Sequence, residues 1–445
     1  MIRAALWLFV GVASLVLVCV CAEENAQDER DVPPGVNHAD HLENDSTGAQ
    51  ILSVVIRGVA DRKKFEEIRK EIYLDVLTTS KWAVDILVQK SSLDYTKHLL
   101  KSADLEFKVL IEDIQKQMEA ENPPESKESL SRSSLRGHGL TFDRYHSVDT
   151  MYQYMEYLNR TYSDFVKLED IGTTAEGRTL RVLYISSGQP NRKAIWIDGG
   201  IHAREWVASA AVLWVLSELT EKRERLPEEM RELDFVVMPM VNPDGYEYTR
   251  ARRSTRLWRK NRAPVSSACA GVDVNRNFEH GWGGHGTSGE ACRDTYRGPR
   301  PASERETQAI VNYAAKNIPK IQGFLTFHCY GQYILYPWGY DKILPEDHAD
   351  LQRVGEIAAQ RIKEVGDVNY TVGSSANLLY PAAGGSDDWA KSKGVKYAYT
   401  VELRGPGYPG GLNSFFLPPE QIIPSGRDAF EIVRTVAEAI VLQPS

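Results

Sequence analysis

The chain has 445 residues, of which 42% are hydrophobic and 26% are charged. This amount of apolar material supports a sizeable core and excludes a wholly disordered or collagen-like chain. The formal net charge of -8 argues against a general binder of nucleic acid.

The N-terminus has the pattern of an export signal. Arg3 precedes an apolar run at residues 4–22, which ends in small residues. This pattern predicts a signal peptide over residues 1–22 that is cleaved after Ala22. The alternative is an uncleaved membrane anchor, but a polar acidic stretch follows the run and no stop-transfer cluster does. We therefore expect a secreted, extracellular protein that is free of the membrane once the signal is removed.

The pattern of residues 23–121 predicts a small N-terminal domain, which contains most of the chain's excess of Asp and Glu over Lys and Arg. Strand patterns alternate with helical ones in this region. The predicted strands are 50–59, 83–90 and 107–113, and the predicted helices are 63–73 and 93–105. This order predicts an α/β open sandwich.

Residues 122–136 read as a linker, because two prolines are followed by a charged, Ser-rich stretch. Basic residues in an exposed linker offer cleavage points to a trypsin-like protease. The candidates are Lys127, Arg132 and Arg136, of which we favour the last two. An ordinary interdomain tether is the alternative.

Residues 137–445 alternate apolar strands with helices. The predicted strands are 180–186, 194–198, 233–240, 323–327, 333–336 and 396–403, and the predicted helices are 207–219, 303–315, 351–365 and 424–441. This order predicts an α/β fold with a mixed β-sheet flanked by helices, whose ligand crevice lies at the carboxyl ends of the strands.

Three cysteines remain once the signal is removed. Cys269 and Cys292 lie in one loop-rich stretch, and a disulfide between them would close a short loop, worth roughly 3 kcal/mol. Cys329 is then expected to be a buried thiol.

The first chemical signal follows the strand at 194–198. Two glycines end this strand, and we expect His202 and Glu205 to lie three residues apart on one face of the helix that begins there. Imidazole and carboxylate are zinc ligands, but the pair alone also fits a solvated helix face. A catalytic zinc takes a third protein ligand, and His328 closes a distant strand. By itself, His328 also fits an ordinary core histidine.

Hydrolysis needs a proton acceptor near the metal that does not bind it. Glu402 ends the apolar strand at 396–401, an awkward place for a carboxylate unless it is paired or functional. The alternative is a buried ion pair with Arg404.

Around these residues, six sequence blocks resemble the secreted zinc metallocarboxypeptidases of the pancreatic carboxypeptidase A and B type, which are made as zymogens. The blocks are HAREW at 202–206, LWRK at 257–260, DVNRN at 273–277, FHCY at 327–330, YPAAGGS at 380–386 and VELR at 401–404. The leader resembles the activation domain of that family more loosely, best at residues 109–115.

The resemblance implies one zinc ion, bound by His202, Glu205 and His328, with Glu402 promoting attack by water. It also implies that Asp273 orients the first histidine. The implied substrate contacts are Asn275 and Arg276 on the terminal carboxylate, Arg259 on the oxyanion, Tyr380 as a mobile cover, and Arg204 and Tyr330 at outer subsites. The other cations of the basic run at 250–262 are expected to be surface charge, and no pocket role is assigned to Phe415 or Phe416.

Asp387 bears on substrate choice. The resemblance puts it at the base of the pocket for the departing side chain, where a carboxylate goes with Lys or Arg, and Ser375 is a small residue that lines this pocket. The alternative is a structural role, in which Ser386 is the N-cap of a helix and Asp387 and Asp388 are carboxylates in its first turn.

These residues predict a monomeric zymogen with a catalytic domain at 137–445. Its substrates would be the C-termini of peptides and proteins, with a B-type preference for Lys or Arg, and a digestive lumen is one place for it to act. The rivals are an A-type enzyme for apolar termini and a catalytically silent peptide binder.

Overall fold

The structure is a computed structural model that describes residues 48–72, 74–80, 82–122, 137–190, 192–317, 320–405 and 415–442. The predicted signal peptide, the linker candidates for cleavage and most of the glycine-rich segment at 405–413 lie outside these residues. Within them, no helix combines the length and apolar character needed to cross a bilayer.

The N-terminal part forms a four-stranded sheet, which we call the small sheet. Its strands are β1 (Gln50–Val55), β2 (Asp75–Thr79), β3 (Ala83–Val88) and β4 (Phe107–Ile111), and its helices are α1 (Val59–Glu71), α2 (Leu93–Ser102) and α3 (Ile114–Glu121). The strand order is β2-β3-β1-β4, and all pairs are antiparallel.

Successive side chains of β1 point to opposite faces of the small sheet, which explains how the sheet packs. Leu52 and Val54 lie in one core cluster with Phe65 and Leu100 of the two helices. Ile51, from the opposite face, joins the core of the larger C-terminal part. The small sheet is therefore an open sandwich that is buried on both faces, because alternate side chains of its strands enter two different cores. Strand β2 was not predicted from the sequence, and the strand expected at 50–59 ends at Val55, because Val59 already begins α1.

The C-terminal part contains an eight-stranded mixed sheet, which we call the large sheet. Its strands are β5 (Val166–Thr173), β6 (Thr179–Ile185), β7 (Ala194–Gly199), β8 (Asp234–Met238), β9 (Ile321–His328), β10 (Tyr333–Tyr336), β11 (Thr371–Ser374) and β12 (Tyr397–Glu402). Their order is β11-β10-β12-β9-β7-β8-β6-β5. The four central strands β12, β9, β7 and β8 are parallel, so their carboxyl ends open at one edge.

Helices cover both faces of the large sheet, which confirms the predicted fold class. They are α4 (Val148–Thr161), α5 (Trp206–Thr220), α6 (Glu228–Arg231), α7 (Pro243–Ala251), α8 (Arg305–Asn317), α9 (His348–Gly366), α10 (Ser375–Leu378), α11 (Ser386–Ser392) and α12 (Ile422–Val441). Helices α5, α9 and α12 share a core with Ile197 and Phe327, whereas α8 and α11 pack with Trp196 and Phe324 on the other face. The strands β5 and β11 and the helix α4 were not predicted from the sequence.

Candidate metal centre and substrate cleft

Two histidines and one glutamate meet at the carboxyl ends of β7 and β9. His202 Nδ1 lies 2.8 Å from Glu205 Oε1 and 3.1 Å from His328 Nδ1, and His328 Nδ1 lies 3.1 Å from Glu205 Oε2. All three side chains are buried. Two nearby positions of the chain and one distant position thus bring their donor atoms together, as the sequence predicted.

The local structure that brings His202 and Glu205 together differs from the prediction. His202 lies in the turn after β7, and Glu205 occupies the N-cap position of α5, so the two do not share a helical face. Gly200 permits the turn: it has a φ of +72°, and a Cβ there would lie 2.3 Å from Ser209 Oγ. The tight turn folds His202 back over the start of the helix, which is how it reaches Glu205.

The donor set suits zinc. Its three ligand atoms lie within 4.8 Å of one another, and two imidazoles with one carboxylate are a common protein ligand set of catalytic zinc. Burial and nearby Arg259 lower the pKa of His202. Burial would raise the pKa of Glu205, yet the two histidines lower it below its usual range. Metal binding requires deprotonated ligands, and the lowered pKa values of these two groups agree with that requirement. Burial would lower the pKa of His328, but its contact with Glu205 outweighs this effect and raises it.

Asp273 connects the metal centre to Arg259. Its Oδ1 lies 3.3 Å from His202 Nε2, and its Oδ2 accepts from Arg259 Nε at 3.0 Å. The carboxylate is fully buried between the two groups. It lies where it can hold the imidazole so that Nδ1 faces the other ligands.

Glu402 is the last residue of β12 and pairs in register with His328 on β9. Burial raises the pKa of Glu402 to about 7, with Glu205 adding to the effect and nearby cations opposing it. The ion pair with Arg404 is not formed, because Arg404 binds Asp428 through Nε at 2.6 Å. Glu402 thus lies beside the group of three residues that could hold a metal ion, and it is not a member of that group.

These groups line one cleft of about 110 Å³. The predicted residues on its walls, besides the three predicted metal ligands, are Arg259, Asn275, Arg276, Tyr330, Ser375, Tyr380, Asp387 and Glu402. Residues that sequence reasoning did not select also line it, including Leu77, Leu335, Leu379, Thr400 and Phe415. The apolar members gave no signal, because a leucine or phenylalanine in a cleft has the same pattern as one in a core.

Asn275 and Arg276 are fixed by the segment that follows Tyr380. Asn275 Oδ1 accepts from Ser386 N at 3.0 Å. Gly384 has a φ of +77°, and a Cβ there would lie 2.4 Å from the carbonyl oxygen of Arg276, so only glycine permits this approach. The two short sequence blocks therefore form one wall of the cleft.

Asp387 and Asp388 have different surroundings, although both lie in the first turn of α11. Asp388 accepts backbone hydrogen bonds from Gly339 N at 2.8 Å and Tyr340 N at 2.7 Å, so it anchors a loop. Asp387 lines the cleft, and burial raises its pKa. Among the described residues, no Lys or Arg forms an ion pair with Asp387. The N-cap of α11 is Gly385, so the alternative of an N-cap at Ser386 is wrong.

The small sheet covers the outer part of the cleft. Leu77 of β2 lines it, and the Leu77 carbonyl accepts from Arg204 Nη2 at 2.9 Å. The Tyr330 hydroxyl donates to the Asp85 carboxylate of β3. The two residues predicted for outer subsites are therefore both bound by the N-terminal part of the same chain.

Comparisons with known proteins agree with this geometry. Residues 151–432 match the zinc carboxypeptidase family, and residues 52–121 match the carboxypeptidase activation peptide. This chain belongs to the zinc carboxypeptidase family. The resemblance of the motifs is thereby confirmed, and the protein is a metallocarboxypeptidase zymogen that acts on peptide C-termini.

Relatives of both specificity classes are similar to this zinc carboxypeptidase. Carboxypeptidase B of Astacus astacus is 41% identical over 68% of this chain and 98% of that protein. Carboxypeptidase A2 of Mus musculus is 34% identical over 88% of this chain and 94% of that protein. The crystal structure of thrombin activatable fibrinolysis inhibitor superposes with a TM-score of 0.79 at 31% identity, covering 89% of this chain and 99% of that one.

The disulfide and the free thiol of this carboxypeptidase match their predictions. Cys269 and Cys292 are bonded across 23 positions of sequence, with their Cα atoms 5.1 Å apart. Cys329 is free and buried directly after the ligand His328.

One prediction about the basic run is wrong. Arg256 and Lys260 were expected at the surface, but both are buried. The Arg256 guanidinium lies 3.9 Å from the centre of the Trp206 ring, and its Nε donates to Glu121 Oε2 at 2.7 Å. Glu121 is the last residue of α3, so a fully buried ion pair links the activation segment of the zymogen to its catalytic part.

We expect Glu121→Gln to weaken the attachment of the activation segment to the catalytic part of the zymogen. Removing one partner of a buried ion pair leaves the other charge uncompensated, which costs about 3–5 kcal/mol. The uncut variant should therefore unfold at a lower temperature and hydrolyse a short peptide substrate at least about tenfold faster than the uncut wild type. Thermal unfolding and a peptidase assay before any protease treatment measure both effects.

The matched control is Glu119→Gln, because Glu119 pairs with Arg253 at 3.1 Å on the surface of the same helix. An exposed pair contributes about 0–1 kcal/mol, so this variant should behave like the wild type. Equal behaviour of the two variants would contradict the role given to Glu121.

Proposed function

We propose that this protein is a secreted, monomeric zymogen which, once cut, removes C-terminal Lys or Arg from peptides and proteins. We further propose a signal peptide at 1–22, an activation domain at 23–121, a linker at 122–136 and a catalytic domain at 137–445. A trypsin-like protease would cut after one of the basic residues of the linker, at Lys127, Arg132 or Arg136. The extracellular fluid or a digestive lumen would be its place of action.

Substrate binding would begin with the free carboxylate of the terminal residue. Arg276 and Asn275 lie side by side on the cleft wall, and a guanidinium binds a carboxylate through paired hydrogen bonds. Tyr380 lines the same wall and would cover the bound residue. Arg204 and Tyr330 would contact residues further from the terminus once the small sheet has left.

Catalysis would depend on groups that surround the metal ligands His202, Glu205 and His328. These three residues would hold a single zinc ion, whose chemistry there would be Lewis-acid polarisation of the scissile carbonyl. Glu402 would take a proton from the attacking water and pass it to the leaving amine, because its carboxylate ends the strand beside the ligand His328. Arg259, which Asp273 holds in place, would donate hydrogen bonds to the developing oxyanion.

Asp387 carries the choice of substrate. It is a buried carboxylate on the wall of the cleft that no Lys or Arg of the described chain neutralises. A cationic side chain would supply the missing partner, whereas an apolar side chain would leave the charge buried and unpaired, at a cost in binding. Ser375 leaves room in the same pocket. These features favour Lys and Arg over apolar termini.

Metal analysis and a two-substrate assay on trypsin-treated protein test this function. We expect one zinc per chain, loss of activity with a chelator, recovery with added zinc, and at least about 100-fold higher kcat/KM for a C-terminal Arg than for a C-terminal Phe. A preference for Phe would identify an A-type enzyme instead. No turnover of either peptide would indicate a silent binder.

A further inference from the structure

Asp198 and Thr326 lie beneath the metal centre and belong to no sequence block that carries the family resemblance. Asp198 is in β7, and Thr326 is its partner in register on the neighbouring strand β9. Side chains two residues apart in a strand share a face, so Thr326 lies on the same side of the sheet as the ligand His328. Both Asp198 and Thr326 are fully buried.

The Asp198 carboxylate fixes the direction of the hydrogen bonds in this group. Trp196 Nε1 donates to Asp198 Oδ2 at 2.6 Å, and the Thr326 hydroxyl donates to Asp198 Oδ1 at 2.7 Å. An ionised carboxylate only accepts hydrogen bonds, so the single hydroxyl proton of Thr326 is used toward Asp198. The lone pairs of Thr326 Oγ1 are left to accept from another donor.

His328 Nε2 lies 3.4 Å from Thr326 Oγ1, so a proton on Nε2 would find its acceptor there. Donation to the hydroxyl requires a proton on Nε2, and a neutral imidazole with this proton has a free lone pair on Nδ1. Nδ1 is the nitrogen that faces His202 and Glu205. This arrangement favours the tautomer in which His328 can bind a metal.

We propose that Asp198 and Thr326 position His328 as a zinc ligand through a carboxylate–hydroxyl–imidazole chain. They would do for the second histidine what Asp273 does for the first, with a hydroxyl between the carboxylate and the ring. Partners of this kind typically change metal affinity by 10- to 100-fold. The inference rests on the zinc centre of the proposed function.

Thr326→Val tests the carboxylate–hydroxyl–imidazole chain, because valine keeps the shape of threonine and replaces the hydroxyl with a methyl group. We expect the uncut full-length variant to bind zinc about 10- to 100-fold more weakly in competition with a chromogenic chelator. Thr326→Ser, which restores the hydroxyl, should stay within about threefold of the wild type by the same measure. With Co²⁺ in place of zinc, the visible absorption bands should shift in the valine variant and not in the serine variant.

Thr307→Val is the matched control, because Thr307 is equally buried in α8 and its hydroxyl has no partner among the described residues. It should leave zinc affinity unchanged. Asp198→Asn offers a second variant should valine prevent folding, and it should also weaken zinc binding. Wild-type affinity in Thr326→Val, or an equal loss in Thr326→Ser, would overturn the proposal. If the wild-type protein bound no zinc, the zinc centre of the proposed function would be wrong, and the inference that rests on it would fail as well.

Discussion

The Glu402→Gln variant should still bind zinc and substrate, but its kcat should be about 10²- to 10⁴-fold lower than that of the wild type. Glutamine keeps the size and hydrogen-bonding capacity of the side chain but cannot accept and release the proton that hydrolysis moves. Glu402 is not among the three predicted ligands, whose donor atoms lie within 4.8 Å of one another, so zinc content should stay at the wild-type value. Steady-state kinetics on the trypsin-treated variant, with metal analysis of the same sample, measure both quantities.

The control for this substitution is Glu420→Gln, which makes the same chemical change at an exposed position. It should retain wild-type kcat and KM. If Glu402→Gln lost its zinc along with its activity, the residue would be a ligand or a structural support, and the role of proton carrier would have to be abandoned.

Asp387→Ile should reverse the preference for the terminal residue. We expect kcat/KM for a C-terminal Arg to fall at least about 100-fold, because the substrate guanidinium loses its buried partner, and kcat/KM for a C-terminal Phe to rise. Asp387→Asn removes the charge at nearly constant volume and should reproduce the loss for Arg with little gain for Phe. Paired peptides that differ only in the last residue give both ratios.

Asp341→Asn is the control here, because Asp341 is an exposed carboxylate in the loop that Asp388 anchors. It should not change the ratio of the two substrates. A variant at Asp387 that still selected Arg over Phe would exclude this carboxylate as the determinant of specificity.

The sequence predicted the parts of the site that are set by local pattern. His328 and Glu402 could be found because each is a charged or titratable residue at the end of an apolar strand, and adjacent parallel strands end at the same edge of the sheet. His202 and Glu205 were found through their spacing, although the turn at Gly200, and not a helical face, brings them together.

Contacts between distant segments could not be predicted in this way. Arg256 lies in a run of seven basic residues among thirteen, which reads as solvated charge, and only the folded chain shows that Glu121 neutralises it. Phe415 follows a segment rich in glycine and proline, and its place beside Arg204 depends on a loop path that local sequence does not encode. Strand β2 was missed because its sequence, DVLTT, is short and has one large apolar position.

The Glu121–Arg256 pair also bears on the timing of activation. A cut in the proposed linker at 122–136 would leave Glu121 attached to the small sheet, so it would remove neither this anchor nor the Leu77 contact. The severed fragment must still dissociate before long substrates can enter. Activation by a cut in the proposed linker would therefore have two stages, cleavage and then first-order dissociation of the fragment.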